Sequence, residues 1–223
     1  MVSAEIVKNG WQQFYKISDG DKEALCARVT GVTGMYPKPA LPYWAAKQAA
    51  QYAVSNHNII GAHLDNDDED GAIAAIKGAP WATRDKAGDK GTRVHRACED
   101  ILGGLLVDSK GIEGHLKGFR EFLELTTPQL VGKPETIVAN LSLNYAGTRD
   151  LIFEIDGSRY LVDIKTSAGG DYQNYDLQLA AYRFAEFGIE AGKKVEVPQV
   201  DGAFILHLRP RSWGIFKAQA DQR

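Results

Sequence analysis

The chain has 223 residues, a formal net charge of −3 at pH 7, 44% hydrophobic residues and 25% charged residues. These values are ordinary for a globular protein and predict one large domain or two small ones. The sequence has no run of 18 apolar residues and no basic segment followed by an apolar one. We therefore expect neither a membrane span nor a secretory signal. The weakly acidic balance neither indicates nor excludes nucleic-acid binding, because phosphate contacts need only a local basic patch.

The cysteine content indicates a reducing environment. The two cysteines, Cys26 and Cys98, lie far apart in the sequence and form no CxxC pair. They provide neither a disulfide framework nor a cysteine metal site, so we expect an intracellular, cytoplasmic protein.

The first 90 residues predict a mostly helical region that follows a short stretch of strand character. An Ala-rich segment after Pro42 has a helical apolar stripe, and an acidic run at 65–70 suits the start of the next helix. The predicted strands are Trp11–Ile17 and Cys26–Val32, and the predicted helices are Tyr43–Ser55, Gly71–Lys77 and Pro80–Lys86.

The next predicted helix, from Thr92 to about Val107, is amphipathic. His95 and Glu99 are four residues apart and therefore share one face of it. Two interpretations are open: a functional pair, or an ordinary i,i+4 pair on a solvated surface. A further helix is predicted over Gly111–Leu125.

Strand character begins at about Glu135. Apolar and polar residues alternate from Ala139 to Tyr145, which predicts one half-buried strand. Gly147 is predicted to form a turn or bulge that leads into the next strand.

The dipeptide Asp156-Gly157 lies between two runs of strand-forming residues, a strong signal for a two-residue hairpin turn. A tight turn there determines the register of the hairpin. The predicted cross-strand pairs are Ile155–Ser158, Glu154–Arg159, Phe153–Tyr160, Ile152–Leu161, Leu151–Val162 and Asp150–Asp163.

Alternation of side chains then divides the hairpin into two faces. One face is nearly all apolar and should lie on a core; it carries Leu151, Phe153, Tyr160, Val162 and Ile164. The other face carries Asp150, Asp163 and Lys165. Facing carboxylates are roughly 4.5–5.5 Å apart at Cβ and repel each other. Lys165 supplies one compensating positive charge. A divalent cation that takes oxygen ligands from both carboxylates would complete their neutralisation. The alternative is a solvated surface hairpin.

After the hairpin we expect a loop at 166–171, a helix over Tyr175–Phe187, and strands at Val200–Leu208 and Trp213–Ala218. Gln178 and Tyr182 share one face of that helix. A helix between two strands of one sheet favours a parallel connection. The order of elements predicts an α+β, or mixed α/β, fold with a central mixed sheet flanked by helices and a helical N-terminal region.

Four motifs occur in order along the chain: His95 with Glu99, then Gly147-Thr-Arg-Asp150, Asp163-Ile-Lys165, and Gln178-x-x-x-Tyr182. This ordered set resembles the PD-(D/E)XK nuclease superfamily, and most of all its RecB-like exonuclease branch, which has phage, CRISPR-associated and mitochondrial genome maintenance members. The segment Val29–Thr33 is also similar to that branch. The resemblance covers roughly Thr30 to Tyr182. It implies a restriction-endonuclease-like core at 91–223 within a single nuclease domain.

The resemblance also implies roles for individual residues. Asp150, Asp163 and the Ile164 carbonyl would bind Mg²⁺ or Mn²⁺, with His95 as a further ligand and Glu99 helping to bind metal and water. Lys165 would orient the attacking water, and Gln178 and Tyr182 would support the site and touch the nucleic-acid backbone. The expected nucleic-acid contacts are Arg93, Arg149, Thr166, Ser167, Gln178 and Tyr182.

The implied activity is metal-dependent exonucleolytic hydrolysis of DNA, in phage or bacterial recombination, repair or replication. DNA is the expected partner, with a homo-oligomer or a recombination protein as further possibilities. CRISPR-associated relatives often carry four cysteines around an iron–sulfur cluster; this chain has two, so we expect none. The alternatives are an inactive nucleic-acid-binding module on the same fold and a structure-specific endonuclease.

Overall fold

The computed structural model describes residues 1–10, 12–167, 169 and 172–220, with Tyr172 described by its backbone alone. Trp11, where a strand was predicted to start, and residues 168, 170 and 171 of the predicted loop lie outside this part. Contacts divide the chain into two units, Met1–Tyr36 with Arg93–Arg223, and Pro37–Thr92. Among the described residues, no helix combines the length and apolar character that a membrane crossing requires.

The structure is mixed α/β, which confirms the predicted class. The strands are β1 (Val2–Asn9), β2 (Gln12–Asp19), β3 (Lys22–Arg28), β4 (Gln129–Leu130), β5 (Thr136–Asn140), β6 (Tyr145–Arg149), β7 (Leu151–Ile155), β8 (Ser158–Lys165), β9 (Phe187–Glu190), β10 (Lys193–Val195), β11 (Gly202–Leu208) and β12 (Trp213–Lys217). The helices are α1 (Val29–Thr33), α2 (Ala40–Ser55), α3 (His57–Asp65), α4 (Glu69–Leu102), α5 (Glu113–Thr126) and α6 (Tyr172–Arg183).

The unit Pro37–Thr92 is helical and contains α2, α3 and most of α4. The sequence predicted three separate helices where α4 forms one helix of 34 residues. The glycines and Pro80 that suggested breaks lie inside this helix. A glycine in a helix interior costs only about 1 kcal/mol relative to alanine, and a length of 34 residues can absorb such costs.

The described strands of the other unit form two mixed sheets, where the sequence predicted one central sheet. A seven-stranded sheet has the order β1-β2-β3-β6-β5-β9-β10, and a five-stranded sheet has the order β12-β11-β8-β7-β4. The chain leaves the first sheet at Arg149 and enters the second at Leu151. Asp150 is the single residue between them, so it occupies the corner where the chain changes sheets.

The register of the β7–β8 hairpin is confirmed from Leu151–Val162 to Ile155–Ser158. Asp150 and Asp163 are the next positions beyond the end of this ladder, which does not include the predicted Asp150–Asp163 pair. Asp156 and Gly157 both have positive φ, as a tight two-residue turn requires. β8 also pairs with β11 in parallel, as predicted for the strand after the crossover helix.

Both faces of the hairpin are covered. The predicted apolar face packs on residues of the last turns of α4 and on α5, including Val94, Phe119 and Phe122. The opposite face carries Ile152 and Leu161, which pack on α6 and other apolar residues. Asp163 follows Leu161 on that second face, next to a buried core, which explains the burial of its carboxylate.

Several predicted boundaries were wrong, and at two of them a contact between residues distant in the sequence overrides the local pattern. The strand predicted across 139–145 is two strands, β5 and β6, because Glu186 accepts the backbone N–H groups of Leu141 and Ser142 and stabilises a turn. The predicted strand Cys26–Val32 ends at Arg28, where α1 begins. The helix predicted to reach Phe187 ends at Arg183, since Phe187 pairs with Ala139 in the sheet.

Candidate functional site

The corner at Asp150 brings two carboxylates together. Asp150 is 8% exposed, and its Oδ2 accepts the backbone N–H of Ile164 at 2.7 Å. Glu135 precedes β5 with a positive φ of 50°, and its N–H donates to the Asp150 carbonyl at 2.9 Å. This backbone link places the Glu135 side chain beside Asp150.

His95, on the part of α4 that belongs to the same unit, completes a group that we term the His95 cluster: His95, Glu135 and Asp150. His95 Nδ1 lies 3.4 Å from Asp150 Oδ2 and 3.7 Å from Glu135 Oε1. Each residue offers one ligand atom, and these atoms all lie within 4.8 Å of one another. The face of α4 that carries His95 is therefore turned toward the site, and the interpretation as a solvated i,i+4 pair does not hold for His95.

The charges of this cluster are unbalanced. Burial, and the nearby Asp163 carboxylate, raise the pKa of Asp150 to about 7. Burial alone would lower the pKa of His95, but the Asp150 and Glu135 carboxylates outweigh it and raise that pKa to about 9. Burial and Glu135 likewise raise the pKa of the nearby Glu99. The site therefore has an excess of acidic groups over positive charge, which a bound cation would relieve.

A small cavity of about 10 Å³ lies among these side chains, with Glu99, Cys98 and Ile164 also in its wall. This volume admits roughly one water molecule. Two carboxylates and an imidazole suit Mn²⁺, and carboxylate oxygens suit Mg²⁺. The donor set and its spacing fit a divalent metal, and Glu99 lies in the wall of the same cavity.

Asp163, the other aspartate of the hairpin, belongs to a linear chain of contacts. We term this chain the Asp163 network: Lys165, Asp163, Gln178 and Tyr182. Asp163 is 1% exposed and forms an ion pair with Lys165 through Oδ2. Gln178 Nε2 donates to Asp163 Oδ1 at 3.0 Å and to the Tyr182 hydroxyl at 3.2 Å. Both Asp163 oxygens therefore have positive or donor partners within the protein.

The Tyr182 ring is held in place by the seven-stranded sheet. A Cβ added at Gly147 would lie only 2.5 Å from Tyr182 Cε1, so the ring packs directly on the backbone of β6. Gly147 was predicted as a turn or bulge; it lies within β6, and close approach of the ring is the reason for glycine there.

The two clusters share one region. The Asp163 carboxylate raises the pKa of Asp150, and both carboxylates raise the pKa of Lys165 against the lowering effect of its burial. The two aspartates are therefore electrostatically close, but their carboxylates meet different helices: Asp150 faces His95 of α4, and Asp163 accepts from Gln178 of α6. That both carboxylates point to one side of the hairpin stays a prediction. Their burial excludes the interpretation as a solvated surface hairpin.

The residues predicted to contact nucleic acid differ in exposure. Arg93 and Ser167 are exposed and Thr166 is half-buried. Arg149 is 2% exposed, with Glu190 as a charged neighbour, and Gln178 and Tyr182 are also buried. A direct DNA contact by these three remains a prediction that needs a change in exposure. Gln178 contacts both Asp163 and Tyr182.

Sequence reasoning missed two residues of this region. Glu135 was taken as the start of a strand, and its only local signal is the Pro134-Glu135 break before β5. His207 lies beside Lys165 in the β8–β11 ladder, and its Nε2–H donates to the Ser167 carbonyl. No local pattern marks His207, because it lies in a strand whose seven residues are all buried.

Comparison of the sequence with protein-family models and with curated proteins finds no match to either.

Proposed function

We propose that this chain is a divalent-metal-dependent DNA exonuclease with a restriction-endonuclease-like core. The observation that carries the proposal is the meeting of the His95 cluster with the Asp163–Lys165 ion pair at the end of one hairpin. A metal site beside a fixed ammonium group suits the hydrolysis of a phosphodiester, whose transition state gathers negative charge.

A divalent cation bound here would polarise the phosphate and lower the pKa of a bound water. His95, Glu135 and Asp150 are the residues placed to hold it, and the resemblance adds Asp163 and the Ile164 carbonyl. Glu99, whose pKa is raised by burial, is placed to accept a proton from the attacking water. Lys165 supplies a fixed positive charge for the developing oxyanion, and Asp163 and Gln178 hold the position of that charge.

The restriction-endonuclease-like topology is part of the proposal. Its support is the antiparallel β7–β8 hairpin, followed by α6 and by the parallel strand β11. Helices pack on both faces of this hairpin, which agrees with a sheet flanked by helices.

A DNA degradation assay tests the activity. End-labelled linear single strands and duplexes and a closed circle are incubated with purified protein in Mn²⁺, Mg²⁺ or EDTA. We expect loss of the linear substrates with either metal, an intact circle, and no reaction in EDTA. Degradation of the circle would indicate the endonuclease alternative, and intact DNA in every reaction would overturn the proposal of an active nuclease.

Variants of the two aspartates connect the activity to the site. Asp150→Asn and Asp163→Asn should reduce degradation by at least about a hundredfold, because each removes a charge that acts on metal or lysine. Asp156→Asn is the matched control, since Asp156 is exposed at the opposite end of the same hairpin and Asn-Gly also favours this turn. Full activity in a folded Asp150→Asn or Asp163→Asn protein would show that another site performs the reaction.

A further inference from the structure

A second concave site lies away from the two clusters, in the first 36 residues. The β1–β2 hairpin, the end of β3 and α1 enclose an open cavity of about 680 Å³. This volume is in the range of sites that bind small organic groups, roughly 300–1,000 Å³. We term it the N-terminal groove and define it by Lys8, Gln12, Gln13, Phe14, Arg28 and Met35.

The chemistry of this groove suits a polyanion with planar groups. Lys8 and Arg28 are the charged residues among the described residues that line it, and both are basic. Arg28 is held by a hydrogen bond to the Gln13 side chain, which leaves the rest of its guanidinium for another acceptor. Met35 is 74% exposed, and Phe14 is half-buried, so apolar surface lies next to the basic groups.

The topology places the groove at the same end of the strands as the His95 cluster. β3 runs parallel to β6, and Arg28 pairs with Ala146. Asp150 is four residues beyond Ala146, which corresponds to about 13 Å at 3.3 Å per residue. Val29 of α1, next to Arg28 in the chain, packs in the same core as Tyr182 of the Asp163 network.

We propose that the N-terminal groove binds a single strand of the DNA substrate next to the position where it is cut. Lys8 and Arg28 hold phosphates, Phe14 and Met35 cover unstacked bases, and the amides of Gln12 and Gln13 meet base edges. A single strand fits because its bases are free to enter a concave apolar site, whereas the bases of a duplex are stacked. This inference rests on the proposed nuclease function and adds the form of the substrate to it.

Binding without cleavage tests the groove. Fluorescence anisotropy of a labelled single strand and of the matching duplex is measured in EDTA at several NaCl concentrations. The variant is Lys8→Gln with Arg28→Gln. The control is Lys22→Gln with Lys193→Gln, which removes the same charge from two exposed positions; Lys22 is at the other end of β3.

Loss of two phosphate contacts should weaken single-strand binding by about tenfold at low salt and reduce the slope of log K against log salt by about 1.4. The control should stay within about twofold of the wild type. Unchanged single-strand affinity and salt slope in the Lys8→Gln, Arg28→Gln protein would overturn the proposal that the groove binds a single strand. An equal loss of affinity for the duplex would also overturn it.

The same proteins separate the two proposals. If the wild type degrades DNA with Mn²⁺ while the groove variant binds and degrades it equally well, the groove is wrong and the nuclease function stands. If the wild type binds single strands through Lys8 and Arg28 but never degrades DNA with metal, the groove stands and the nuclease function is wrong.

Discussion

The His95 cluster and the Asp163 network lie side by side, yet they manage buried charge in opposite ways. In the Asp163 network every Asp163 oxygen has a partner in the protein, with Gln178 at 3.0 Å and Lys165 in an ion pair. In the His95 cluster the contacts are longer, at 3.4 and 3.7 Å, and acids outnumber the one histidine. The carboxylate of the first has its partners within the protein, whereas the second would gain stability from a bound cation.

The carboxylates of Asp150 and Asp163 therefore have different surroundings, although they lie at the end of one hairpin. Asp163 is the counter-ion of Lys165 and accepts a hydrogen bond from Gln178 of α6. Asp150 accepts a hydrogen bond from the backbone N–H of Ile164 on β8. Its other neighbours in the cluster are the Glu135 carboxylate and the His95 imidazole. Variants that remove a partner of Asp163, or a carboxylate of the His95 cluster, test this difference most directly.

The largest expected effect comes from Lys165→Met, which leaves Asp163 without its cation. Activity should fall by about a thousandfold, since a fixed positive charge near a developing oxyanion contributes on that order. Mn²⁺ affinity should rise, because the ammonium that repels the metal is gone. Single-turnover degradation and Mn²⁺ binding by electron paramagnetic resonance measure the two quantities. Lys193→Met, on an exposed strand, is the control, and weaker Mn²⁺ binding in Lys165→Met would contradict the assignment of roles.

Glu135→Gln tests whether the residue that sequence reasoning missed belongs to the metal site. Loss of one carboxylate ligand should weaken Mn²⁺ binding by about 10- to 100-fold. Glu154→Gln is the matched control, because Glu154 lies on β7 in a partly exposed ion pair with Arg159. Equal Mn²⁺ affinity in the wild type and Glu135→Gln would limit the metal site to the residues of the predicted motifs.

Gln178→Leu removes the amide that connects Asp163 to Tyr182 in the Asp163 network. It leaves Asp163 Oδ1 and the Tyr182 hydroxyl without their shared donor, and we expect a loss of about 2 kcal/mol in the free energy of unfolding. Urea denaturation followed by circular dichroism gives this quantity. Gln173→Leu, at an exposed position of α6, should change stability by less than about 0.5 kcal/mol. Similar stabilities for the two variants would mean that the network is not structurally important.

The smallest effect concerns His207, which joins β11 to the loop after Lys165. Burial lowers its pKa below 6.5, so the folded protein favours the neutral ring, which donates to Ser167 and accepts from Arg209 at 3.4 Å. Its contribution to stability is complete above pH 6.5 and is lost as pH falls toward the lowered pKa. His207→Gln should remove this part of the pH dependence, by less than about 1 kcal/mol, in urea titrations between pH 5 and 7. An unchanged pH profile would show that His207 does not titrate in that window.

Local patterns predicted the hairpin and its faces correctly. Asp156-Gly157 determines a two-residue turn, and a period of two then assigns every side chain up to Leu151 and Val162 to a face. The parallel partner strand β11 also follows from the order of elements. Boundaries failed where distant residues intervene, as Glu186 does at the turn between β5 and β6.

Local patterns therefore predicted the hairpin next to which Asp150 and Asp163 lie, the nearby Lys165, and the helix that carries His95 and Glu99, because turn chemistry and periodicity act between neighbours. Three features follow from the tertiary structure alone: Asp150 lies at a corner between two sheets, Glu135 joins His95 there, and Asp163 pairs with Lys165 and accepts from Gln178. These outcomes depend on which backbone groups meet across long separations and on how deeply burial removes each carboxylate from water, and neither quantity is encoded in a local pattern.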